Sequence, residues 1–313
     1  MSTVRDGLYQ WGGAPVGGMS RFAGLWRGRT FYVDGTSGVL GNNALTPRRA
    51  TTTLARAVAL AGTDDTIYVR PQAVGVRYTE NVVVPVTTHA GLSIIGTGNG
   101  RGNSVYQACS FKGATSVDSP ILDLNSSYAN IENIHFWSNA AQLVVGMIRM
   151  RWNTGGGLNI GSSIVNCSFS ENPDSVAAAG VLQSYIRMDS TEGQLVQGCM
   201  FENARIAVSL HSTASACYSI KILNNMFGGL AAAIAADIAM TDATIVDIND
   251  NVFNHAVPTQ AAAYQKYIFV VSTGTGGMAR NYQAASAVAK GTNNTATNIL
   301  AAGNFGLGGP WTS

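Results

Sequence analysis

The sequence predicts an all-β protein, a single-stranded parallel β-helix, and three observations carry that prediction. A six-residue phrase recurs: IENIHF at 131–136, IVNCSF at 164–169, VQGCMF at 196–201, ILNNMF at 222–227, INDNVF at 248–253 and LAAGNF at 300–305. Its terminal residues, Phe136, Phe169, Phe201, Phe227, Phe253 and Phe305, are 33, 32, 26, 26 and 52 residues apart, the last step being twice 26. Three positions before each Phe stand Asn133, Asn166, Gly198, Asn224, Asp250 and Ala302, turn formers in every case except the alanine. A unit of about 26 residues cannot bury its own apolar face, so such units must stack on their neighbours.

The spacing inside the phrase selects strands over helices. Ile222 and Phe227 are five apart, which fits neither one helical face nor a straight strand, where like-facing residues differ by even numbers. A bend at Asn224 resolves this: Ile222 ends one short strand, and Asn225 with Phe227 starts the next with both facing inward. Asn is the non-glycine residue best suited to the left-handed conformation that such a corner needs. Cys167 and Cys199 lie two before their Phe, and Cys109 does the same in YQACSF at 106–111, so three of the four cysteines share one inward column. That column reads as packed thiols rather than a disulfide, metal or redox set, with Cys217 a packed residue outside it.

Taken in order, residues 1–30 form a glycine-rich segment without the period. Its large residues are isolated, and Tyr9, Trp11, Arg21, Phe22, Trp26, Arg27 and Arg29 make it either a loose extension over the first coil or an attachment arm, since aromatic and Arg side chains dominate interface hot spots. The β-helix is expected over 31–305. FYVDG at 31–35 reads as a strand entering a turn. TTTLARAVALA at 51–61 places Leu54, Val58 and Ala61 on one helical face, with Thr51 or Thr52 as cap and Gly62 as terminator. TIYV at 66–69 follows as a strand. A helix there covers the open edge of the first coil, whose unpaired backbone invites aggregation. Residues 153–157, 173–179 and 258–264 read as loops projecting from the coils, where binding usually sits. MARNY at 278–282 fills the repeat slot weakly, and 306–313 form a short tail.

FYVDG, the Thr-rich helix, TIYV and IIGTG at 94–98 together resemble the N-terminal coils of right-handed parallel β-helix proteins of tailed bacteriophages, tailspike-like and pectate-lyase-like in fold. The resemblance covers about residues 31–305 and implies a virion protein, commonly a homotrimer with an N-terminal attachment segment.

Composition agrees with a rigid body presenting small polar side chains. Charged residues are 12% of the 313, about half the usual share, while 46% are hydrophobic and 36 are glycine. A net charge of +2 gives no steering towards nucleic acid. No signal peptide is recognisable, and the longest apolar run, residues 230–240, is too short to span a bilayer. The expectation is synthesis in a host cytoplasm and a place on the particle surface, with no membrane or nucleic-acid partner and no cofactor.

The residues that could do chemistry are sparse. Glycan-cleaving sites need two or three convergent carboxylates, and Asp189, Glu192 and Glu202 are the best candidates, with Glu171 expected to stack one coil before Glu202. Turn capping and solvation of one face account for these acids better than a hydrolytic pair does, and catalysis is not expected. A lyase site would need a Ca²⁺ cluster and an Arg base; Arg149, Arg151, Arg187 and Arg205 are present, but Asp123, Asp189 and Asp237 lie in different coils. His89, His135, His211 and His255 show no metal-ligand spacing, and His135 and His255 are expected in turns or on the surface. The sequence thus predicts a non-enzymatic structural virion protein, a trimer attached by its arm to the major capsid or another virion protein as decoration or cement. The alternative is a tail spike or fibre that binds or depolymerises a host surface glycan.

Overall fold

The computed structural model describes the backbone of residues 4–5, 8–11, 14–16, 28–86, 88–98, 109–114, 119–138, 146–151, 159–171, 184–202, 204, 206–211, 216–229, 236–241, 243–255, 266–270, 274–283, 292–294, 298–302 and 305–306. Three parallel sheets, A, B and C, run the length of the body, and each coil of the central part gives one strand to each in that order. Sheet A has eight strands from Val82–Val84 to Thr292–Asn294, sheet B eleven from Thr30–Val33 to Asn298–Ala302, and sheet C nine from Tyr78–Thr79 to Phe305–Gly306. The chain is a parallel β-helix, as the repeat requires.

The corner between sheets B and C is one residue wide. Asn133, Asn166, Gly198, Asn224, Asp250 and Arg280 occupy it with φ of 56°, 53°, 64°, 55°, 57° and 54°. Arg280 is the unexpected occupant. Its guanidinium forks onto the Asp250 carboxylate one coil earlier, with both N–H···O distances 2.7 Å. Gly96 precedes this row, and a Cβ there would come within 2.1 Å of the Asn133 carbonyl oxygen, so the IIGTG glycine makes room for the first asparagine corner.

Columns of like residues follow from this register. Ile67, Ile94, Ile131, Ile164, Val196, Ile222 and Ile248 stack inside sheet B, each fully buried. Inside sheet C the rings of Tyr78, Phe111, Phe136, Phe169, Phe201, Phe227 and Phe253 stack at centroid distances of 4.8, 6.3, 5.3, 5.0, 4.9 and 4.9 Å. The strand spacing of about 4.8 Å matches an offset ring stack, so one ring per coil fills the axis without voids. Phe305 does not continue this column. It pairs with Tyr282, and Gly306 pairs with Gln283, so the coils after Phe253 are 30 and 23 residues long and the step of 52 was coincidental. Ala302 is accordingly a strand residue opposite Ala279, not a corner.

A second left-handed corner, between sheets A and B, has no counterpart in the sequence reading. It lies two residues before six B strands, at Asp64, Gly91, Tyr128, Gly161, Gly193 and Ser219, and recurs at Ile245 at the register shift inside Ala243–Asn249, with φ between 54° and 74°. Glycine recurs at Gly91, Gly161 and Gly193, but Asp64, Tyr128, Ser219 and Ile245 share no type with it, so no motif announces the corner.

The capping helix is Leu54–Leu60, shorter than the predicted 51–61, and Thr53 rather than Thr51 or Thr52 caps it, its Oγ1 accepting from Arg56 N at 3.2 Å. Thr51 instead bridges to Val33. The Glu80 carboxylate takes the free N–H groups of Leu54 and Ala55 at 3.0 and 2.9 Å, tying the helix to the first complete coil. Leu54, Ala57 and Val58 are its buried face. In the N-terminal segment, Val4–Arg5, Leu8–Trp11 and Ala14–Val16 form a three-stranded antiparallel sheet.

All four cysteines are free and buried. The register puts Cys109, Ile134, Cys167 and Cys199 in one inward column of sheet C. Burial pushes the thiols of Cys109, Cys167 and Cys217 well up, so they pack rather than react.

Candidate functional site

The outer face of sheet A gathers a dense set of charged side chains among the described residues. Its inward positions are apolar, with Leu122, Leu124, Ile148, Met150, Ile186, Met188, Val208 and Leu210 buried. Strand alternation therefore turns the intervening residues outward. Asp123, Arg149, Arg187 and Ser209 share one outward row, and Arg151, Asp189 and His211 share the next, two residues along. Adjacent coils are about 4.8 Å apart, so residues up to 40 positions apart in sequence become neighbours.

Asp189 is the hub. It is 2% exposed, and its carboxylate accepts from Arg149 Nε and Arg187 Nε, each at 2.7 Å and each on its own oxygen. These two charge-assisted bonds fix both guanidinium groups against the sheet. His211 Nδ1 stands 3.7 Å from the same carboxylate, too far for a hydrogen bond, and is buried without a partner. Burial, followed by the positive charge of Arg187, pushes the His211 imidazole down despite Asp189, so it is neutral at pH 7.

Asp123 has the opposite character. Arg151 Nη2 donates to its Oδ2 at 2.8 Å while Arg151 Nε donates to Asn125 Oδ1 at 2.8 Å. Its other oxygen is buried without a partner. Burial pushes this carboxyl up, and the pull of Arg151 and Arg149 does not fully offset it. Three guanidiniums against two carboxylates leave the patch net positive, with one buried acceptor at Asp123 and one unpartnered nitrogen at His211.

The acids singled out from the sequence do not converge. Asp189 ends the strand Ser184–Asp189 of sheet A, Glu192 bridges Ile160 and Tyr218 beside the A–B corner, and Glu202 ends the strand Met200–Glu202 of sheet C. They occupy three sides of one coil. Ser170, not Glu171, stacks on Glu202. The true neighbours of Asp189 were visible as residue types, but membership of different coils was the wrong reason to separate them: in a β-helix it is the condition for contact. His135, expected in a turn or at the surface, is 3% exposed. His89 is buried beside the helix, its Nε2 2.8 Å from the Val58 carbonyl.

Of the attachment candidates, Tyr9 and Trp11 lie in the strand Leu8–Trp11, while Arg21, Phe22, Trp26 and Arg27 fall outside the described residues. Arg29 pairs with Asp65 at 3.1 Å and reaches the Leu60 carbonyl at 3.2 Å. The side chains of Asp237 and His255, Arg205, and the loops 153–157, 173–179 and 258–264 are also outside the described residues. Among the described residues no three His, Cys, Asp or Glu side chains are grouped to hold a metal ion, and no helix is long and apolar enough to cross a membrane.

No protein-family model and no curated protein matches the sequence. Among solved structures, the chain is similar to the GH136 lacto-N-biosidase from Eubacterium ramulus, at TM-score 0.53 and 11% identity, over 89% of this chain and 67% of that one. It also matches a candidate glycosyl hydrolase from Parabacteroides merdae (TM-score 0.33, 12% identity, 64% of this chain and 83% of that one) and the surface protein and adhesin PfbA of Streptococcus pneumoniae (TM-score 0.33, 11% identity, 78% and 86%). Nothing in the fold or in its similarity to the lacto-N-biosidase supports capsid decoration. The expectation that the chain is not an enzyme is overturned: the fold that covers 89% of it is shared with an enzyme, so scarce acids were no ground for excluding catalysis.

Proposed function

We propose that this protein recognises a carbohydrate along the outer face of sheet A, in the manner expected of a β-helix that binds a surface polysaccharide. The observation that carries the reading is the set Asp123, Arg149, Arg151, Arg187, Asp189 and His211, drawn from four successive coils onto one rigid face. Sugar hydroxyls need both donors and acceptors at fixed positions, and this face offers guanidinium donors locked by Asp189 with unpartnered atoms at Asp123 and His211. The fold shared with a lacto-N-biosidase supports a glycan as the ligand class.

Cleavage of the bound glycan is the second reading, favoured by Asp123. Its carboxyl is pushed up by burial, as a general acid requires, and Asp189, two strands away on the same face, is the nearest acid of the patch. Binding to an array of bacterial surface polysaccharides tests the first reading, with Arg187→Gln expected to weaken affinity about tenfold through loss of a charged hydrogen bond. Unchanged binding in that variant sinks the sheet A assignment. Release of reducing ends that disappears in Asp123→Asn establishes the second. The trimer and the attachment role of residues 1–30 belong to this reading as proposals, tested by ultracentrifugation of the full chain and of one lacking residues 1–27.

A further inference from the structure

The outer face of sheet C carries a second cluster that the glycan reading does not use. Ser110, His135 and Ser168 share one outward row, and Lys112, Trp137 and Ser170 share the next. Arg77 precedes Tyr78, the partner of Phe111, and so begins the row of Ser110. The Arg77 guanidinium lies 4.3 Å over the Trp137 ring, and the His135 ring is tilted at 52° to that indole with 6.1 Å between centroids.

Within this cluster His135 is fully engaged. Ser168 Oγ stands 2.7 Å from its Nδ1 and Ser170 Oγ 3.1 Å from its Nε2, so one nitrogen donates and the other accepts. Burial, reinforced by the charge of Arg77, pushes the imidazole down to about 4 and keeps it neutral. The imidazole therefore has no nitrogen left for its neighbours in the row. Ser110 is 2% exposed and its Oγ has no hydrogen-bond partner. Arg77 Nε is likewise buried and donates to nothing, and burial alone acts on its guanidinium, with no acid to offset it. A half-buried cation without a carboxylate, beside a buried hydroxyl without a partner, is an arrangement that a bound anion completes. The carboxylate of Glu80 is occupied by the helix N–H groups, and Glu202 lies beyond Ser170 in the next coil.

We propose that Arg77 and Ser110 form an oxyanion site, walled by Trp137 and bordered by Lys112, that takes the carboxylate or sulfate group of an acidic ligand. Arg77 Nε–H and the Ser110 hydroxyl donate to the oxyanion, and the indole holds the guanidinium plane by cation–π attraction. The site lies on a different sheet from Asp189 and stands whether or not sheet A binds a glycan.

Trp137 makes the site self-reporting. In the full chain, titration with glucuronate or inorganic sulfate is expected to change tryptophan emission saturably, and Trp137→Phe to abolish the change among the five tryptophans. Arg77→Gln should weaken the response about tenfold, as loss of a charged hydrogen bond implies, and Ser110→Ala a few-fold without altering the fold. Glucose should be silent. Tighter binding of glucuronate than of sulfate assigns the site to an acidic sugar; equal binding assigns it to a simple oxyanion. No saturable response to either anion, an undiminished response in both Arg77→Gln and Ser110→Ala, or the same response to glucose overturns the proposal.

Discussion

Asn225 and Asn251, 26 residues apart, stand one above the other at the start of adjacent coils, and the Asn251 side-chain oxygen accepts from both Asn225 N and Asn225 Nδ2, at 2.9 and 3.1 Å. Asn281 does the same for Asn251 at 3.0 and 3.0 Å. Each amide also donates inward, Asn225 to the Val196 carbonyl at 3.0 Å and Asn251 to that of Ile222 at 2.9 Å. The ladder continues the cysteine column: Cys199 and Cys167 point their thiols at the Ile164 and Ile131 carbonyls, at 3.5 and 3.7 Å.

Breaking this ladder is expensive because it leaves buried groups without partners. Asn251→Ala strips the acceptor from two Asn225 donors and is expected to cost about 3 kcal/mol in urea denaturation. Asn251→Cys should cost clearly less, since a thiol already serves that inward role two coils earlier. Equal losses for the two variants would show that the thiols at this column do not substitute for the carboxamide.

Ile245 occupies the second corner at φ 59° with 62% of its surface exposed. A β-branched residue is poorly suited to the left-handed region, and its exposed side chain gains little from packing. Ile245→Asn is therefore expected to raise stability by about 1 kcal/mol. A neutral or destabilising effect in thermal denaturation would mean that the isoleucine makes a compensating contact.

Phe201 sits between Phe169 and Phe227 at 5.0 and 4.9 Å and is 1% exposed. Phe201→Ala should cost about 3–5 kcal/mol, because a cavity opens between two rings that the strand spacing prevents from closing. Phe201→Leu should recover part of that loss. The comparison is made by the shift in the urea midpoint at constant slope.

His135 predicts a pH dependence of stability. Its folded value of about 4 lies below the ordinary 6.5, so the unfolded chain takes up the proton first. Its contribution is complete above pH 6.5 and is lost as pH falls towards 4, at about 1.4 kcal/mol per pH unit and about 3 kcal/mol in all. His211 adds to the same slope, whereas Glu80 and Asp123, both pushed up by burial, act oppositely. The difference between wild type and His135→Gln isolates the term: the wild type should lose stability relative to the variant between pH 6.5 and 4.

The parts of the fold that a local motif specifies were legible. Asn133, Asn166, Gly198, Asn224 and Asp250 turn the B–C corner because a one-residue left-handed bend has few tolerated occupants. The A–B corner uses the same backbone conformation at Gly91, Gly161 and Gly193 but also at Tyr128, Ser219 and Ile245, where coil stacking rather than residue type enforces it, so no consistent pattern survives. Phe305 shows the reverse hazard, a residue that matches the phrase while the register assigns its column to Gly306.

By itself, then, the sequence determined the coil: its period, its aliphatic and aromatic columns, its asparagine corner and its buried thiols, all consequences of preferences within six residues. Only the tertiary structure decided which polar residues meet. Asp189 finds Arg149 and His211, and Arg77 finds Trp137, through stacking of coils whose lengths vary from one turn to the next. The variation arises in the segments from sheet C to A and from A to B, while from Asn130–Glu132 onward the step from B to C stays constant, so the register at the outer face follows from the pairing of whole strands and cannot be counted off along the chain.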